Sequence, residues 1–200
     1  MRLAVLVGGK GRGSNMKAIL HACKTGRIPS EGALVIAPKD DIPAVGIARE
    51  YGAEIAILSP KEQHFAADLV AILAAERIDL LCLAGFLKLL PVEVLQAMPD
   101  SILNIHPALL PKFGGKGMYG VRVHEAVLRA EQLESGCTVH YVNEQFDEGA
   151  ILWQMLCPVE PGDTPETLAA RILPLEHECY VEAIRKWIAD HGKAGRKASM

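Results

Sequence analysis

Two polar residues with chemical potential stand at the end of a short apolar segment. Asn104 supplies an amide donor, and His106, two positions later, supplies a titratable imidazole. Side chains alternate faces along a strand, so the two groups are expected on one face, about 7 Å apart. Pro107 lacks a backbone N–H and favours extended geometry before it, which predicts that the strand ends there. Either residue alone is more often an incidental polar group at a strand end, but the pair favours a reactive site.

An acidic turn further along the chain could complete this pair. Asp147 lies between two apolar runs, Gly136–Asn143 and Gly149–Val159, which are expected to pair as antiparallel strands. An aspartate in such a turn is usually only a turn former. If the fold brings it within about 4–6 Å of His106, its charge favours the imidazolium and raises the histidine pKa.

The other histidines have simpler interpretations. His140 stands in an apolar run and is by itself better explained as a histidine packed within a strand. Four of the others are expected on the surface or on helix faces: His21, His64, His124 and His191.

A glycine-rich loop follows the first predicted strand. Four glycines within six residues, from Gly8 to Gly13, let the backbone turn tightly and approach a ligand, and Lys10 and Arg12 add positive charge. Free N–H groups at the start of the next helix favour an anion such as phosphate. The spacing matches neither the dinucleotide nor the Walker pattern, which disfavours NAD and ATP. Alternatively, the loop only connects two elements, with Ser14 as the helix N-cap.

A second glycine-rich segment, Lys112–Gly120, follows the proline at position 111. It contains four glycines, two aromatic residues and two lysines, one of which is Lys116. Such a segment can fold over a bound ligand, and it can equally be a mobile surface loop.

Composition excludes several classes of protein. Two hundred residues, half of them apolar, can bury one ample core. A net charge of −3 argues against a nucleic-acid partner. Five cysteines without C-x-x-C spacing argue against zinc and suit reduced thiols. We find no signal-peptide pattern and no apolar run of about 18 residues, so we expect a cytoplasmic protein without a membrane partner.

The order of short apolar runs and helical patterns predicts an α/β fold with a mostly parallel sheet, a Rossmann-like N-terminal half and an antiparallel C-terminal extension. Predicted strands are Leu3–Val7, Ala33–Ala37, Glu54–Leu58, Asp79–Ala84 and Ser101–Ile105. Predicted helices are Asn15–Cys23, Ala44–Tyr51, Glu62–Glu76, Pro91–Ala97 and Val121–Ala130.

A final helix is predicted over Thr164–Ala189. Asp163 or Thr164 is expected as its N-cap, and Pro174 is expected to kink it or break it in two. The polar, basic tail from residue 191 to 200 is expected to be flexible.

Taken together, these residues resemble the folate-dependent phosphoribosylglycinamide formyltransferases, members of the formyltransferase–hydrolase superfamily. The resemblance covers nearly the whole chain. It rests on Gly13-Ser14-Asn15, Leu83–Lys88, Asn104-Ile105-His106-Pro107, Phe113–Gly117, Asp147 and Glu176-His177. It implies the formyltransferase fold as one domain over residues 1–190, with a nucleotide- and phosphate-binding half at 1–100 and a catalytic and folate half at 101–190.

The resemblance also implies a reaction. A formyl group passes from 10-formyltetrahydrofolate, the co-substrate, to the glycyl amine of 5-phosphoribosylglycinamide in purine biosynthesis, without a metal. Asn104 would donate to the carbonyl oxygen, His106 would act as imidazolium or proton relay, and Asp147 would orient it. This agrees with the chemistry of amine attack on a formamide, which creates an oxyanion and an ammonium together.

Substrate-binding residues are implied in the same way. Those for the nucleotide phosphate and amine are Gly11, Arg12, Gly13, Ser14, Asn15 and Glu176, and those for folate are Phe86, Leu87, Lys88, Leu89, Leu90 and Val142. His140 and Lys116 would support them. The partners would be small molecules only, and the protein would be a monomer or a weak homodimer.

The chain departs from the family pattern in the length of one loop, in two residues after the second strand and in one basic residue. Its first loop is two residues longer than the commonest type, and Ala37-Pro38 stands where many members have Ser-Asn. An arginine that some members direct toward the phosphate is replaced by Glu62 or displaced to Lys61. We hypothesise that Arg12 or Lys116 supplies that charge.

Three other interpretations remain open. A formyltetrahydrofolate hydrolase shares the Asn, His and Asp but carries an extra N-terminal domain, which is not expected because the first strand begins at Leu3. A methionyl-tRNA formyltransferase would need a further C-terminal domain and a basic surface. A non-catalytic nucleotide-binding module would use the first loop alone, with Asn104 and His106 structural.

Overall fold

A computed structural model describes residues 1–9 and 11–191. Its strands form one seven-stranded sheet in the order β3-β2-β1-β4-β5-β6-β7. These strands are β1 (Arg2–Val7), β2 (Gly32–Ala37), β3 (Glu54–Ile57), β4 (Leu80–Ala84), β5 (Ile102–His106), β6 (Glu134–Tyr141) and β7 (Ile151–Pro158). β1 to β5 are parallel, whereas β6 and β7 are antiparallel. The predicted fold class is therefore confirmed, including the antiparallel extension.

The helices cover both faces of the sheet. They are α1 (Ser14–Lys24), α2 (Pro43–Glu50), α3 (Phe65–Ala75), α4 (Val92–Ala97), α5 (Val121–Arg129) and α6 (Pro165–His191). Residues of β1 alternate between two apolar clusters, because successive side chains point to opposite faces. Leu3 and Val5 pack with α1, α2 and α6, whereas Ala4 and Leu6 pack with α3 and α4. Burial on both faces explains why the parallel strands are continuous apolar runs.

The sheet order places a crevice at the carboxyl ends of the central strands. The chain runs outward from β1 through β2 to β3, then returns to add β4 and β5 on the other side of β1. Ligands of open α/β sheets bind at such a reversal, outside the carboxyl ends of the strands. The loops after β1, β4 and β5 therefore meet at one edge of the sheet.

One predicted helix cap and one of two outcomes expected at a proline differ from the structure. Of the kink or break expected at Pro174, the break is absent, since α6 runs unbroken for 27 residues. The proline removes a single N–H, and burial of flanking residues such as Ile172 and Cys179 keeps both halves packed against the sheet. The predicted N-cap Ser14 is the first residue of α1, and Gly13 is the cap in a left-handed conformation with φ 75°. Thr164, by contrast, caps α6 as predicted, because its Oγ1 accepts from the Thr167 N–H at 3.3 Å.

Two other predictions fall partly or wholly on residues that are not described. Lys10 and residues 192–200 of the predicted tail lie outside the described part of the chain, whereas His191 ends α6. Among the helices within residues 1–9 and 11–191, none combines the length and apolar character needed to cross a bilayer.

Candidate active site

Asn104, His106 and Asp147 come together at the carboxyl end of β5. Asn104 and His106 lie on β5, and Asp147 comes from the loop between β6 and β7. Asp147 Oδ2 lies 3.4 Å from His106 Nδ1, which is within ion-pair distance once the imidazole is protonated. The sequence left open whether the fold brings Asp147 close to His106. The structure shows that the two side chains are neighbours.

The loop that presents Asp147 depends on glycines. Asp147 itself has a left-handed backbone, with φ 59°, and its Oδ2 accepts from the Gly115 N–H at 3.0 Å. A Cβ at Gly149 would collide with the carbonyl oxygen of Tyr141, so the chain can turn back there only as glycine. A Cβ at Gly114 would lie 3.1 Å from the Cβ of Asp147. Close backbone approach on both sides thus fixes where the carboxylate stands.

His106 is held as a neutral base rather than as an imidazolium. Its Nε2 donates to the Phe113 carbonyl at 2.8 Å, so the lone pair of a neutral ring lies on Nδ1, facing Asp147. Burial lowers the pKa of His106, and the opposing effects of the Asp147 charge and the Phe113 carbonyl do not cancel it. The carboxylate acts in the expected direction, but the net shift is downward because the ring is only 3% exposed.

Asp147 is held in its ionised form. Burial raises the pKa of its carboxyl, but the neighbouring His140 and His106 rings and the Gly115 N–H outweigh that effect, and the pKa is lowered. Around neutral pH the site therefore pairs a carboxylate with a neutral imidazole. A proton arriving at Nδ1 would meet a negative charge already in place.

His140 orients the amide of Asn104. It is the neighbour of Asn104 across the β5–β6 ladder, and its Nε2 lies 3.1 Å from Asn104 Nδ2. Because His140 Nδ1 donates to the Tyr141 carbonyl at 2.8 Å, Nε2 is left to accept from the amide. One amide hydrogen is thereby used, and the other is free to meet a substrate oxygen. His140 is both the packed strand histidine that the sequence suggests and a partner of Asn104.

A second polar pair lies at the other end of the same cleft. Asn15, in the first turn of α1, donates through Nδ2 to Glu176 Oε2 at 2.7 Å. Burial raises the pKa of Glu176, although the hydrogen bond from Asn15 acts in the opposite direction. Arg12 also lines the cleft. The neighbouring Gly11, Gly13 and Ser14 are not among the cleft-lining residues of the described chain.

The cleft has a volume of about 890 Å³ and joins both polar groups. One wall is the segment after β4, from Phe86 to Leu90, and Val142 lies on the loop opposite. Phe86 and Leu90 are buried, whereas the three residues between them are exposed, with Leu87 and Leu89 about half exposed.

Basic residues also border this cleft. Lys116 lines it, as does Lys88, whose Nζ donates to the Pro60 carbonyl at 3.1 Å. Lys61 and Glu62, at the position of the displaced arginine, are not among its described lining residues. Arg12 and Lys116, the two residues hypothesised to supply the phosphate charge, both line the cleft.

His124 is the functional candidate that sequence reasoning missed. We expected it on the surface or a helix face, but it is 4% exposed, lines the cleft, and has a buried Nδ1 without a hydrogen-bond partner among the described residues. Burial lowers its pKa, and the charge of His106 adds to that effect. A signal existed in the sequence, since Val123, His124 and Val127 share one face of α5.

The remaining histidines agree better with the prediction. His21 and His64 are exposed, and His191 stacks on Trp187 in the last turn of α6 with ring centroids 4.3 Å apart. Within residues 1–9 and 11–191, His, Cys, Asp and Glu side chains form no group of three or more that could hold a metal ion.

Comparison with known proteins gives a consistent result. A family described as formyl transferase matches residues 1–184. A chloroplastic phosphoribosylglycinamide formyltransferase of Arabidopsis thaliana is 44% identical over 188 residues, which is 92% of this chain and 64% of the plant protein. The chain thus spans less than two thirds of that relative's length. The phosphoribosylglycinamide formyltransferase of Haemophilus influenzae is 36% identical over 195 residues, covering 94% of this chain and 87% of that protein.

A solved structure shows the same fold. It is glycinamide ribonucleotide transformylase 1 from Symbiobacterium toebii, which superposes with a TM-score of 0.83 at 41% identity. The match covers 92% of this chain and 86% of that one.

Proposed function

This chain belongs to the formyl transferase family, and we propose that it transfers the formyl group of 10-formyltetrahydrofolate to the glycyl amine of 5-phosphoribosylglycinamide. The products would be formylglycinamide ribonucleotide and tetrahydrofolate. The observation that carries the proposal is the cluster of Asn104, His106 and Asp147 in one cleft with the Asn15–Glu176 pair. Such a cleft offers one end for a reacting carbonyl and another for a polar amine substrate.

The first step is attack of the neutral amine on the formyl carbon. A new C–N bond forms, the carbonyl oxygen becomes an oxyanion, and the attacking nitrogen becomes positive. The free hydrogen of the Asn104 amide is fixed by the contact with His140 and can donate to that oxyanion as its charge develops. A donor that is in place beforehand stabilises the transition state without reorganisation.

The second step is proton transfer and release. The attacking nitrogen loses a proton, N10 of the folate gains one, and the bond between N10 and the formyl carbon breaks. His106 can hold the proton in transit at Nδ1, where Asp147 stabilises the positive ring. A base with a pKa at or below neutrality is suited to accepting and returning a proton at physiological pH.

The two halves of the chain would both contribute to each substrate site. We assign the nucleotide to Asn15, Glu176 and the loop around Arg12, and the pterin to the Phe86–Leu90 wall and Val142. Backbone N–H groups of Gly11, Gly13 and Ser14 are proposed for the phosphate because they lie at the N-terminus of α1. In this scheme Glu176 from residues 101–190 joins the nucleotide site, Phe86–Leu90 from residues 1–100 join the folate site, and the catalytic groups all come from residues 101–190.

A spectrophotometric assay separates the candidate functions. The protein is incubated with a 10-formyl folate, with and without the glycinamide nucleotide, and deformylated folate is followed by absorbance. Product that depends on the nucleotide supports the transferase. Product that forms without the nucleotide would indicate a hydrolase, and no product would indicate a binding module; either result would overturn the proposal.

The cellular compartment, the partners and the oligomeric state are also part of the proposal. The protein would act on small molecules in the cytoplasm, as a monomer or weak homodimer. It would bind neither nucleic acid nor a membrane, and its net charge of −3 supports the absence of a nucleic-acid partner. Sedimentation over a range of concentrations tests the oligomeric state, and cell fractionation tests the compartment.

A further inference from the structure

Tyr180 connects α6 to the two strands that carry the site. Its side chain is fully buried, and its hydroxyl lies 2.9 Å from the carbonyl oxygen of Leu83 on β4 and 2.9 Å from that of Leu103 on β5. A hydroxyl has one proton, so the two carbonyls share it. This single side chain therefore links adjacent strands at the point where their pairing ends, since Leu83 is opposite Asn104 in the last pair of the β4–β5 ladder.

The two carbonyls belong to the peptides that lead directly into the site. The carbonyl of Leu103 shares a peptide plane with the N–H of Asn104, so fixing it fixes the plane from which the amide side chain projects. The carbonyl of Leu83 lies three residues before Phe86, where the proposed pterin wall begins. The hydroxyl thus constrains both walls at the formyl end of the cleft.

The same side chain also constrains the nucleotide end. Glu176 is four residues earlier on α6, and residues four apart lie on one face of a helix. Anchoring Tyr180 to the peptide before Asn104 therefore sets how far the Glu176 carboxylate stands from the Asn104 amide. In the proposed reaction that separation decides whether the amine meets the formyl carbon.

We infer that Tyr180 is a positioning residue, which holds α6 and its Glu176 in register with Asn104 through the shared hydrogen bond to Leu83 and Leu103. The inference rests on the proposed function, because it concerns the alignment of that reaction's two substrates. It also predicts a change in the surroundings of the Asn104 side-chain amide, which can be measured without any enzymatic turnover.

Tyr180→Phe tests this, because it keeps the ring and removes only the hydroxyl. A matched control is Trp187→Phe: Trp187 is on the same helix, and its Nε1 donates to the Asp100 carbonyl at 2.8 Å, before β5 begins. Asp100 is four residues from Asn104, about 13 Å along a strand. Each variant removes the polar group that joins α6 to this part of the sheet: Tyr180 contacts Leu83 on β4 and Leu103 on β5, whereas Trp187 contacts Asp100 before β5. Only the first lies beside the site.

We expect kcat of Tyr180→Phe to fall roughly 10-fold, with both KM values within about twofold, because misplacement well below 1 Å affects the reacting geometry more than binding. Trp187→Phe is expected to keep kcat within about twofold. Both are assayed well below their unfolding temperatures, with the folded fraction checked by circular dichroism. An unchanged kcat in Tyr180→Phe, a rise in KM alone, or equal losses in both variants would overturn the inference.

A second readout is independent of activity. The side-chain amide resonance of Asn104, assigned by its loss in Asn104→Asp, is expected to shift in Tyr180→Phe and to stay in place in Trp187→Phe. If wild-type protein showed no nucleotide-dependent transfer, the proposed function would fail while this spectrum still tested the positioning. An Asn104 resonance that did not move would overturn the inference whatever the activity.

Discussion

Asn104 and His140 face each other across the β5–β6 ladder, with the amide nitrogen 3.1 Å from Nε2 of the ring. The ring is itself held by its hydrogen bond to the Tyr141 carbonyl, so it fixes the orientation of the Asn104 amide. This arrangement decides which amide hydrogen is available to a substrate before any substrate arrives. An active site that relies on a single side-chain donor benefits from such orientation, because no torsional freedom has to be lost during the reaction.

Asn104→Ala is therefore expected to fold and to be nearly inactive. Loss of one donor to a developing oxyanion typically lowers the rate by about 10²–10³-fold. The measurement is kcat for nucleotide-dependent deformylation, with thermal unfolding as a check of the fold. Gln132→Ala, which removes a partly exposed amide outside the cleft, is the matched control and is expected to keep wild-type turnover. Wild-type turnover in Asn104→Ala would contradict the assignment.

The carboxylate of Asp147 is expected to control the pH profile. Burial lowers the pKa of His106 and the Asp147 charge raises it, so Asp147→Asn removes the opposing effect and lowers that pKa further. The acid limb of kcat/KM should then move to lower pH, while the plateau falls by about 10²–10⁴-fold as proton transfer loses its charge stabilisation. Initial rates between about pH 5 and 8 measure both quantities.

Glu144→Gln provides the comparison for that experiment. Glu144 is an exposed carboxylate on the same loop and is not among the described lining residues of the cleft. Its profile should coincide with that of the wild type. A limb that moved to higher pH in Asp147→Asn would show that the carboxylate does not act on His106 as the geometry indicates.

Arg12 and Lys116 are expected to share the phosphate of the nucleotide. Both line the cleft, and a hydrogen bond to a charged group contributes about 1.5–3 kcal/mol, so Arg12→Ala or Lys116→Ala should raise the nucleotide KM about 10-fold or more. The KM for the folate should change little. Lys17→Ala, an exposed cation on α1 outside the cleft lining, is expected to leave both constants unchanged. If neither cleft variant alters the nucleotide KM, the idea is wrong.

Gly149 is expected to tolerate no side chain. In Gly149→Ala the new methyl group would collide with the Tyr141 carbonyl, so the loop must move and take Asp147 with it. We expect a loss of about 1–3 kcal/mol in the free energy of unfolding, together with a lower kcat. The control is Gly46→Ala in α2, where a methyl group meets nothing within 4 Å and should add up to about 1 kcal/mol of stability. Chemical denaturation measures both changes, and equal behaviour of the two variants would contradict the steric argument.

Local patterns predicted those parts of the molecule that local geometry determines. The two-residue spacing of Asn104 and His106 is a property of any strand, so their shared face follows from the sequence. The alternation of strands and helices likewise predicted the sheet, its parallel part and the hairpin of β6 and β7. Asn104, His106 and Asp147 are likewise singled out by residue type and spacing, whereas the substrate-binding residues are implied by a family resemblance.

Features that depend on distant parts of the chain were beyond such patterns. The burial of His124 depends on how α5 packs beside the cleft, although its position next to Val123 and Val127 hinted at it. A proline disfavours a helix interior, so a kink or a break is expected at Pro174, but tertiary packing keeps α6 unbroken despite that local cost. The direction of the His106 pKa shift could not be predicted either, because the sequence indicated the charge beside the ring but not the extent of its burial.

The hydrogen bond between Asn15 and Glu176 joins residues 161 positions apart. During synthesis the glycine-rich loop leaves the ribosome first and Glu176 leaves it after Asp147, so the formyl end of the cleft is complete in sequence before the amine end. A nascent chain that stops before α6 would have Asn104, His106 and Asp147 but no carboxylate to meet Asn15. Competence for the proposed transfer would therefore arise only after α6 has been translated.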